Sequence, residues 1–343
     1  MNTTTSSRTI PWEWYVSSEV LRREQELVFR DAWHYAGPAE WVAEPGDRFP
    51  ATAGEAPVAV VRGPDGELRA FLNVCRHRGS VIVKGRGRAR TLQCPYHAWT
   101  YGLDGGLRSA PRSEREPDFD PCELGLRPAL VETWGPFVFV NTDLDAAPRA
   151  TALGALPELV DPGGLVFRER VSFDLAVNWK VAAENYLECY HCPTAHKAFS
   201  ALVDVDPDAY RLETAGGVLS QYGDRRGGGE GEDGCQFHLA WPALKVIVYP
   251  GAANLSLGPL WPTGPESAAG FLDYFFGPDV PEQTQRELIE FDDQVGREDR
   301  ELVESVQRGI RSGLIEDGRL LLDSERLIAA FQERLTVVLG SGL

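Results

Sequence analysis

Two short cysteine–histidine pairs, Cys75-Arg-His77 and Cys94-Pro-Tyr-His97, stand sixteen residues apart. Each offers one soft thiolate and one imidazole from a compact loop. The pattern C-x-H-x16-C-x2-H suits a [2Fe–2S] cluster in which one iron keeps two thiolates and the other takes two histidines. Neutral imidazoles in place of thiolates remove negative charge from such a cluster, so it accepts electrons readily. A tetrahedral zinc also takes a Cys2His2 set, but zinc fingers usually place both cysteines in one knuckle and both histidines on a helix. The mixed loops favour iron and sulfur.

A second group lies further along. Glu184, Glu188 and His191 are spaced i, i+4, i+7, which puts them on one face of a helix following Asn178. Pro193 ends that helix, and His196 follows in the next turn. Two histidines with one carboxylate from elsewhere make the facial site of non-haem Fe(II) oxygenases, which leaves half an octahedron for O₂ and substrate. The carboxylate must come from far away. Asp299 lies in line with the apolar stripe of a long C-terminal helix, where an acid is costly unless paired or metal-bound. Asp292 falls on the same stripe and is the rival, whereas Glu298 and Glu304 are rotated away. His34 and His238 read as structural or surface residues, with His238 a further option for contacting substrate.

The elements that must hold these groups follow from periodicity. Residues 19–34 have helical spacing, with Val20, Leu21, Leu27, Val28 and Phe29 apolar among charges. From Trp41 to about Asn141 short β-type runs alternate with Gly/Pro turns, as in PVAVVRG, ELRAFLNV and WGPFVFVN. Further strands are expected at YRLETAGGVLSQY, FHLAW, LKVIVYPG, ANLSLGPLWP and AAGFLDYFFG, and a long helix from Pro281 to Ser312 with Leu288, Val295, Leu302, Val306 and Ile310 on its stripe. The segment GDRRGGGEGEDG is too polar and Gly-rich to pack and reads as a mobile loop. The division expected is an N-terminal helical segment (1–40), a small antiparallel β domain carrying the cluster (41–160) and a catalytic domain (161–343).

At 343 residues and 43% hydrophobic composition, two ordinary cores are the better prior. No apolar run approaches the length of a membrane span, and the polar N-terminus lacks a secretory signal, so the chain reads as cytoplasmic. Its cysteines then read as two ligands plus reduced packing thiols at Cys122, Cys189, Cys192 and Cys235. A net charge of −17 argues against nucleic acid as a partner. Against that background Arg76, Arg78, Lys84, Arg86, Arg88 and Arg90 crowd the stretch between the cluster loops, which suits a docking patch for an acidic electron donor. Phe199, Phe237, Trp241, Tyr249 and Phe275 are candidates to line an apolar pocket.

The flanks CRHRGS and CPYHAWTYGLDGGL resemble the cluster loops of Rieske domains. Ser80 and Tyr96 stand where respiratory Rieske proteins have an extra disulfide, so the likeness is to the oxygenase or ferredoxin branch. NWKVAAENYLECYHCPTAH is similar to the NWK…EN…(D/E)-x2-H-x4-H signature of the catalytic large subunits of Rieske non-haem iron oxygenases. EDRELVESVQRG resembles the segment that carries their carboxylate ligand. The likeness runs from about Pro11 to the C-terminus. It implies an α+β fold: a Rieske [2Fe–2S] antiparallel β domain, plus a helix-grip (START-like) catalytic domain whose antiparallel sheet holds the long C-terminal helix. It implies that Cys75, His77, Cys94 and His97 hold the cluster and that His191, His196 and Asp299 hold mononuclear Fe(II). Glu188 is implied as the acid that bridges to a cluster histidine of a neighbouring subunit, with Asn185 beside it as a catalytic residue. A homotrimer, a reductase or ferredoxin donor and NAD(P)H used indirectly through that reductase are also implied. Glutamate at 188 within ECYHC leans toward relatives acting on quaternary ammonium compounds, although Lys197 stands where several of those have proline. The activity implied is O₂-dependent hydroxylation or dealkylation of a small molecule, against the alternatives of a pure electron carrier or a zinc-stabilised binding protein.

Overall fold

The structure is a computed structural model that describes residues 7–228 and 234–340. The centre of the Gly-rich segment 223–234 lies outside the described residues, as does the start of the N-terminus. The chain opens on α1 (Ser18–Glu24), which Ser17 caps by accepting from the Val20 N–H, and continues into a π-type turn at Gln25–Phe29. The helix expected to reach residue 34 therefore stops at Phe29. His34 instead begins a strand, and its ring N–H donates to the Phe29 carbonyl at 2.7 Å, which closes the turn.

Residues 29–152 form one compact unit. Its strands are β1 (His34–Pro38), β2 (Asp47–Ala53), β3 (Ala56–Arg62), β4 (Leu68–Leu72), β5 (Gly87–Arg88), β6 (Leu92–Gln93), β7 (Thr100–Tyr101), β8 (Leu107–Ser109), β9 (Pro128–Trp134) and β10 (Phe137–Asn141), followed by the short helix α2 (Arg149–Ala152). Among the described residues seven of them make an antiparallel sheet in the order β1-β10-β9-β4-β3-β2-β5, and β6-β7-β8 make a smaller one. β3 is buried on both faces, and period-two alternation divides its side chains between two cores. Val58 and Val60 pack with Phe49, Val138 and Val140. Ala59 and Val61 pack with Phe71, Ile82, Leu92 and Trp99 beneath the cysteine-bearing loops. Asn73 braces the first loop, donating to Val83 O at 2.7 Å and accepting from the Ile82 and Val83 N–H groups.

The other unit joins residues 1–28 to 153–343. It contains α3 (Leu156–Leu159), β11 (Val166–Leu175), α4 (Trp179–Tyr186), α5 (Cys192–Ala195), α6 (Lys197–Leu202), β12 (Arg211–Ala215), β13 (Val218–Gly223), β14 (Cys235–Ala240), β15 (Leu244–Val248), β16 (Asn254–Gly264), β17 (Ser267–Phe276), α7 (Glu282–Ile310) and α8 (Arg326–Leu339). Its antiparallel sheet runs β11-β17-β16-β15-β14-β13-β12. Ile247, Tyr249, Leu272 and Tyr274 on the sheet pack against Leu288, Ile289, Phe291 and Val295 of α7, which is the helix grip. The buried stripe of α7 is Ile289, Asp292, Val303, Gln307 and Ile310. Leu302 and Val306, expected on that stripe, are exposed, because the 100° step per residue carries them to its margin. No helix among the described residues is long and apolar enough to cross a membrane.

A buried polar network holds α4 in place. Asn178 caps it, accepting from Lys180 N at 2.9 Å and receiving Gln307 Oε1 of α7 on its own N–H at 2.9 Å. Lys180 Nζ donates to Glu24 Oε1 at 2.6 Å, and Trp179 Nε1 donates to Glu24 Oε2 at 2.8 Å. Both charged side chains are fully buried. Removing one member of such a pair strands the other charge at a cost of roughly 3–5 kcal/mol. Lys180→Met is therefore expected to lower unfolding stability by about that much, and adding Glu24→Gln should recover a large part. Urea denaturation of the single and double variants checks this; equal loss in both would show that packing, not the stranded charge, dominates.

Candidate metal centres and cavity

The two cysteine loops close in the same way. Cys75 N donates to Ser80 O at 2.9 Å and Gly79 N to Cys75 O at 2.9 Å; Cys94 N donates to Trp99 O at 2.8 Å and Ala98 N to Cys94 O at 3.1 Å. Each turn needs a left-handed residue at its fourth step after cysteine, filled by Gly79 (φ 75°) and, under strain, by Ala98 (φ 58°). Both cysteines are buried, whereas His77 and His97 are exposed. The imidazoles lie side by side with ring centroids 4.6 Å apart, His77 stacked on Trp99 and His97 on Tyr96. Tyr101 OH sits 3.3 Å from Cys75 Sγ, a polar contact of the kind that tunes a cluster's potential. Burial opposes a thiolate at Cys94, but the N–H groups of Tyr96 and His97 and the Cys75 thiol outweigh it and lower the pKa.

Among the described residues, one set of His, Cys or acidic groups brings three donor atoms within 4.8 Å of one another, and it is His191, His196 and Asp299. Two buried thiols in contact and two neighbouring exposed imidazoles make a donor set that fits two irons bridged by sulfide.

At the second centre, His191 Nε2 and His196 Nε2 face each other at 3.0 Å, with Asp299 Oδ1 at 3.3 and 3.0 Å from them. The opposite edge of each ring is tied to an acid. His191 Nδ1–H donates to Glu188, and His196 Nδ1–H donates to Glu298 Oε2 at 2.8 Å. Such outer carboxylates fix the tautomer and leave Nε2 free to ligate. Burial would lower the His191 pKa, but Asp299 and Glu188 prevail and push it up to about 9. Burial would raise Asp299, yet hydrogen bonds and charge from both histidines hold it well below the carboxylate range. The donor set, with two imidazoles and one carboxylate on one side, fits Fe(II) with open positions.

Asp292 is separate from this centre: it accepts from Tyr249 OH at 2.6 Å and from Tyr274 OH. Glu298, expected to point away, instead accepts from His196 Nδ1–H, while its neighbour Asp299 meets the Nε2 edge of the same ring. Its position next to Asp299 was the available signal.

The helix expected to carry Glu184, Glu188 and His191 ends at Tyr186, so these three share no helical face. Glu184 points the other way, accepting from Tyr15 OH at 2.8 Å and Gln332 Nε2 at 2.9 Å. Glu188 and His191 sit in the following turn, where Glu188 also accepts from the Tyr190 and His191 N–H groups. Pro193 lies in the first turn of α5 and does not terminate the earlier helix. Cys189 and Cys192, expected as reduced thiols, are joined in a disulfide across this turn, their Cα atoms 4.9 Å apart. Cys122 is exposed rather than packed, and Cys235 is a buried thiol. Lys197 Nζ donates to Pro193 O at 2.6 Å.

A cavity of about 210 Å³ lies between the sheet and α7, lined in part by Phe173, Asn185, Tyr186, Phe237, Lys245, Tyr249 and Asp299. Asn185, Tyr186, Phe237 and Asp299 also line a 60 Å³ pocket that reaches His191, His196 and Glu188. Of the expected pocket aromatics, Phe237 and Tyr249 line the large cavity and Phe199 the small one. Trp241 instead packs with Phe331 and Arg334, and Phe275 is core against Phe167. His238 is fully buried between Ser220 and Gln236, with burial pushing its pKa down to about 4, and lines neither space. Of the basic cluster, Arg88 is paired with Asp47, Arg86 stacks over Trp41, and Arg76 donates to Gly125 O. Lys84 and Arg90 are exposed.

Residues 32–131 match the Rieske [2Fe-2S] domain, and residues 163–341 match the ring hydroxylating alpha subunit (catalytic domain). The chain is 34% identical to the carnitine monooxygenase oxygenase subunit of Acinetobacter pittii, over 93% of this chain and 90% of that protein. It is 32% identical to the chloroplastic choline monooxygenase of Spinacia oleracea, over 95% and 77%. A quaternary ammonium Rieske monooxygenase crystallised with L-carnitine superposes with a TM-score of 0.88 at 32% identity, covering 98% of this chain and 97% of that one. A naphthalene 1,2-dioxygenase from Rhodococcus, at 20% identity and a TM-score of 0.81, shares the fold.

Two outcomes are expected. Asp299→Ala should cut iron at the histidine centre at least tenfold while leaving the visible cluster spectrum intact, and Asp292→Asn should retain that iron; metal analysis of both variants checks the assignment. Burial raises Glu184 to about 7, above its unfolded value of 4.5. The folded state then binds the proton more tightly, so stability is fullest below pH 4.5 and declines as pH rises toward 7. Glu184→Gln, which keeps a neutral group, should gain on the wild type across that window, by up to about 3 kcal/mol at roughly 1.4 kcal/mol per unit. Melting curves at pH 5 and pH 8 measure the difference.

Proposed function

Since the chain belongs to the ring-hydroxylating alpha-subunit family of Rieske non-haem iron oxygenases, we propose that its substrate is a small quaternary ammonium compound oxidised at a carbon on or near nitrogen. The enzyme is a terminal oxygenase that takes electrons from a reductase and oxygen from O₂. When bound, the cluster supplies single electrons and the mononuclear iron supplies the site of O₂ activation. The observation that carries the substrate reading is an aromatic-walled cavity, with Phe173, Tyr186, Phe237, Tyr249 and Tyr274 around it, opening on the His191–His196–Asp299 centre. Ring faces attract a cation that cannot be hydrogen-bonded. Relatives with 32–34% identity are carnitine and choline monooxygenases, which supports the same class.

In this reading Cys75, His77, Cys94 and His97 hold the cluster, and the exposed histidine edges are where electrons enter and leave. His191, His196 and Asp299 hold the iron. Glu298 fixes the His196 ring. Glu188 keeps its carboxylate on His191 Nδ1 and offers its edge to a cluster histidine of a neighbouring subunit in a cyclic homotrimer. Asn185 lines both spaces and orients substrate or water beside the metal. The exposed Lys84 and Arg90 next to the cluster loops suit docking of an acidic donor. The protein works in the cytoplasm.

Oxygen uptake by the holoenzyme with a generic reductase should rise on adding L-carnitine or γ-butyrobetaine and not on adding aromatic acids. Uptake driven by aromatic acids alone would overturn the substrate class. Glu188→Gln should leave cluster reduction intact and slow substrate-dependent uptake by a hundredfold or more; wild-type uptake would remove the bridge.

A further inference from the structure

The cavity contains a charge that its aromatic walls do not explain. β15 reads Leu-Lys-Val-Ile-Val, and alternation sends Lys245 and Ile247 into the cavity while Leu244 and Val246 turn to the buried side. Across the ladder Lys245 faces Leu239 on β14 and Gly258 on β16, and the glycine offers no side chain to cover its stem on that side. Its ammonium lies 4.9 Å from the Phe173 ring centre and 5.4 Å from that of Tyr186. Among the described residues no hydrogen-bond acceptor or ion-pair partner is found for it. Asp292 and Asp299 lie close enough to act on it through space. Neither is available, because Asp292 is taken by the Tyr249 and Tyr274 hydroxyls and Asp299 by the two histidines. Lys245 is half-buried rather than shut away, so the three donors of its ammonium stand open to whatever enters the cavity. The other cations on this cavity, Arg297 and Arg300, are exposed, and Arg297 is paired with Asp293.

We infer that Lys245 is the anchor for a substrate carboxylate, so that the enzyme takes zwitterions with an anionic end and a quaternary ammonium end and discriminates against purely cationic compounds. This deepens the substrate class proposed above and rests on it. A carboxylate at Lys245 satisfies the free donors and fixes one end of the molecule, leaving the aromatic walls to the other end. A compound with only a quaternary ammonium meets a like charge in the same cavity and brings no anion to it.

Equilibrium binding to the holoenzyme without reductant separates the two ideas. Three probes of nearly equal shape are used: γ-butyrobetaine, its methyl ester, which lacks the anion, and 5,5-dimethylhexanoate, which lacks the cation. The wild type should bind γ-butyrobetaine at least tenfold more tightly than the ester. Lys245→Gln should weaken γ-butyrobetaine tenfold or more, leave the ester unchanged or tighter, and so erase the preference, while Lys245→Arg restores it. If the Gln variant fails to fold, the wild-type preference and the Arg variant decide the matter. Ester and zwitterion binding equally to the wild type, or a Gln variant with wild-type affinity for γ-butyrobetaine, overturns the anchor and leaves the quaternary ammonium class standing. 5,5-Dimethylhexanoate binding as tightly as γ-butyrobetaine, with dependence on Lys245, keeps the anchor and overturns that class. No binding of any probe overturns both.

Discussion

An imidazole ligates a metal through one nitrogen only if something holds the other. Here Glu188 and Glu298 each take an Nδ1 proton, and that turns two Nε2 lone pairs toward one point beside Asp299. Lone pairs 3.0 Å apart repel unless a proton or a cation lies between them. The surrounding backbone is arranged around that demand. The helix stops at Tyr186 so that Glu188 can fold back onto His191, and a disulfide ties the turn between them. The acids at 298 and 299 are neighbours on α7, one reaching the far edge of an imidazole and the other the metal side of both.

Such a centre needs its two carriers, α4 with its trailing turn and α7, held in fixed register. That is the role of the buried network at the start of α4. Asn178 caps the helix and is joined to Gln307 of α7, while Trp179 and Lys180 share the carboxylate of Glu24 from α1. A buried ion pair adds little net stability, but it penalises any shifted packing that would separate its members. The NWK tripeptide is thus a positioning device, and the chemistry begins ten residues later.

The cluster loops solve a different problem. Both cysteines are buried and both histidines exposed, so a cluster held by the four would have its thiolates inside and its imidazoles at the surface. Matching turns with a left-handed residue at Gly79 and Ala98 present the two pairs in the same way, and Tyr101 contacts the inner sulfur. The exposed histidine edges would give electrons a short route to such a cluster, while Trp99, Leu92 and Ile82 pack around the two cysteines.

The amino-acid sequence by itself determined the donor types, the two loops and the strand pattern, because ligand chemistry and side-chain periodicity are local properties. The spacing of Cys75, His77, Cys94 and His97, the run from Asn178 to His196 and the length of α7 were all legible in this way. Three things were decided only by tertiary structure. Periodicity cannot show where a helix is cut by a neighbour, so Glu184 and Glu188, placed on one face by spacing, part company after Tyr186. Position on a helical wheel cannot show what lies beside the helix, so Glu298 gained a histidine while Asp292 gained two tyrosines. A lone lysine in an apolar strand is visible in LKVIV, yet whether it meets water, an acid or a cavity depends on residues many tens of positions away in the chain that folding brings alongside it.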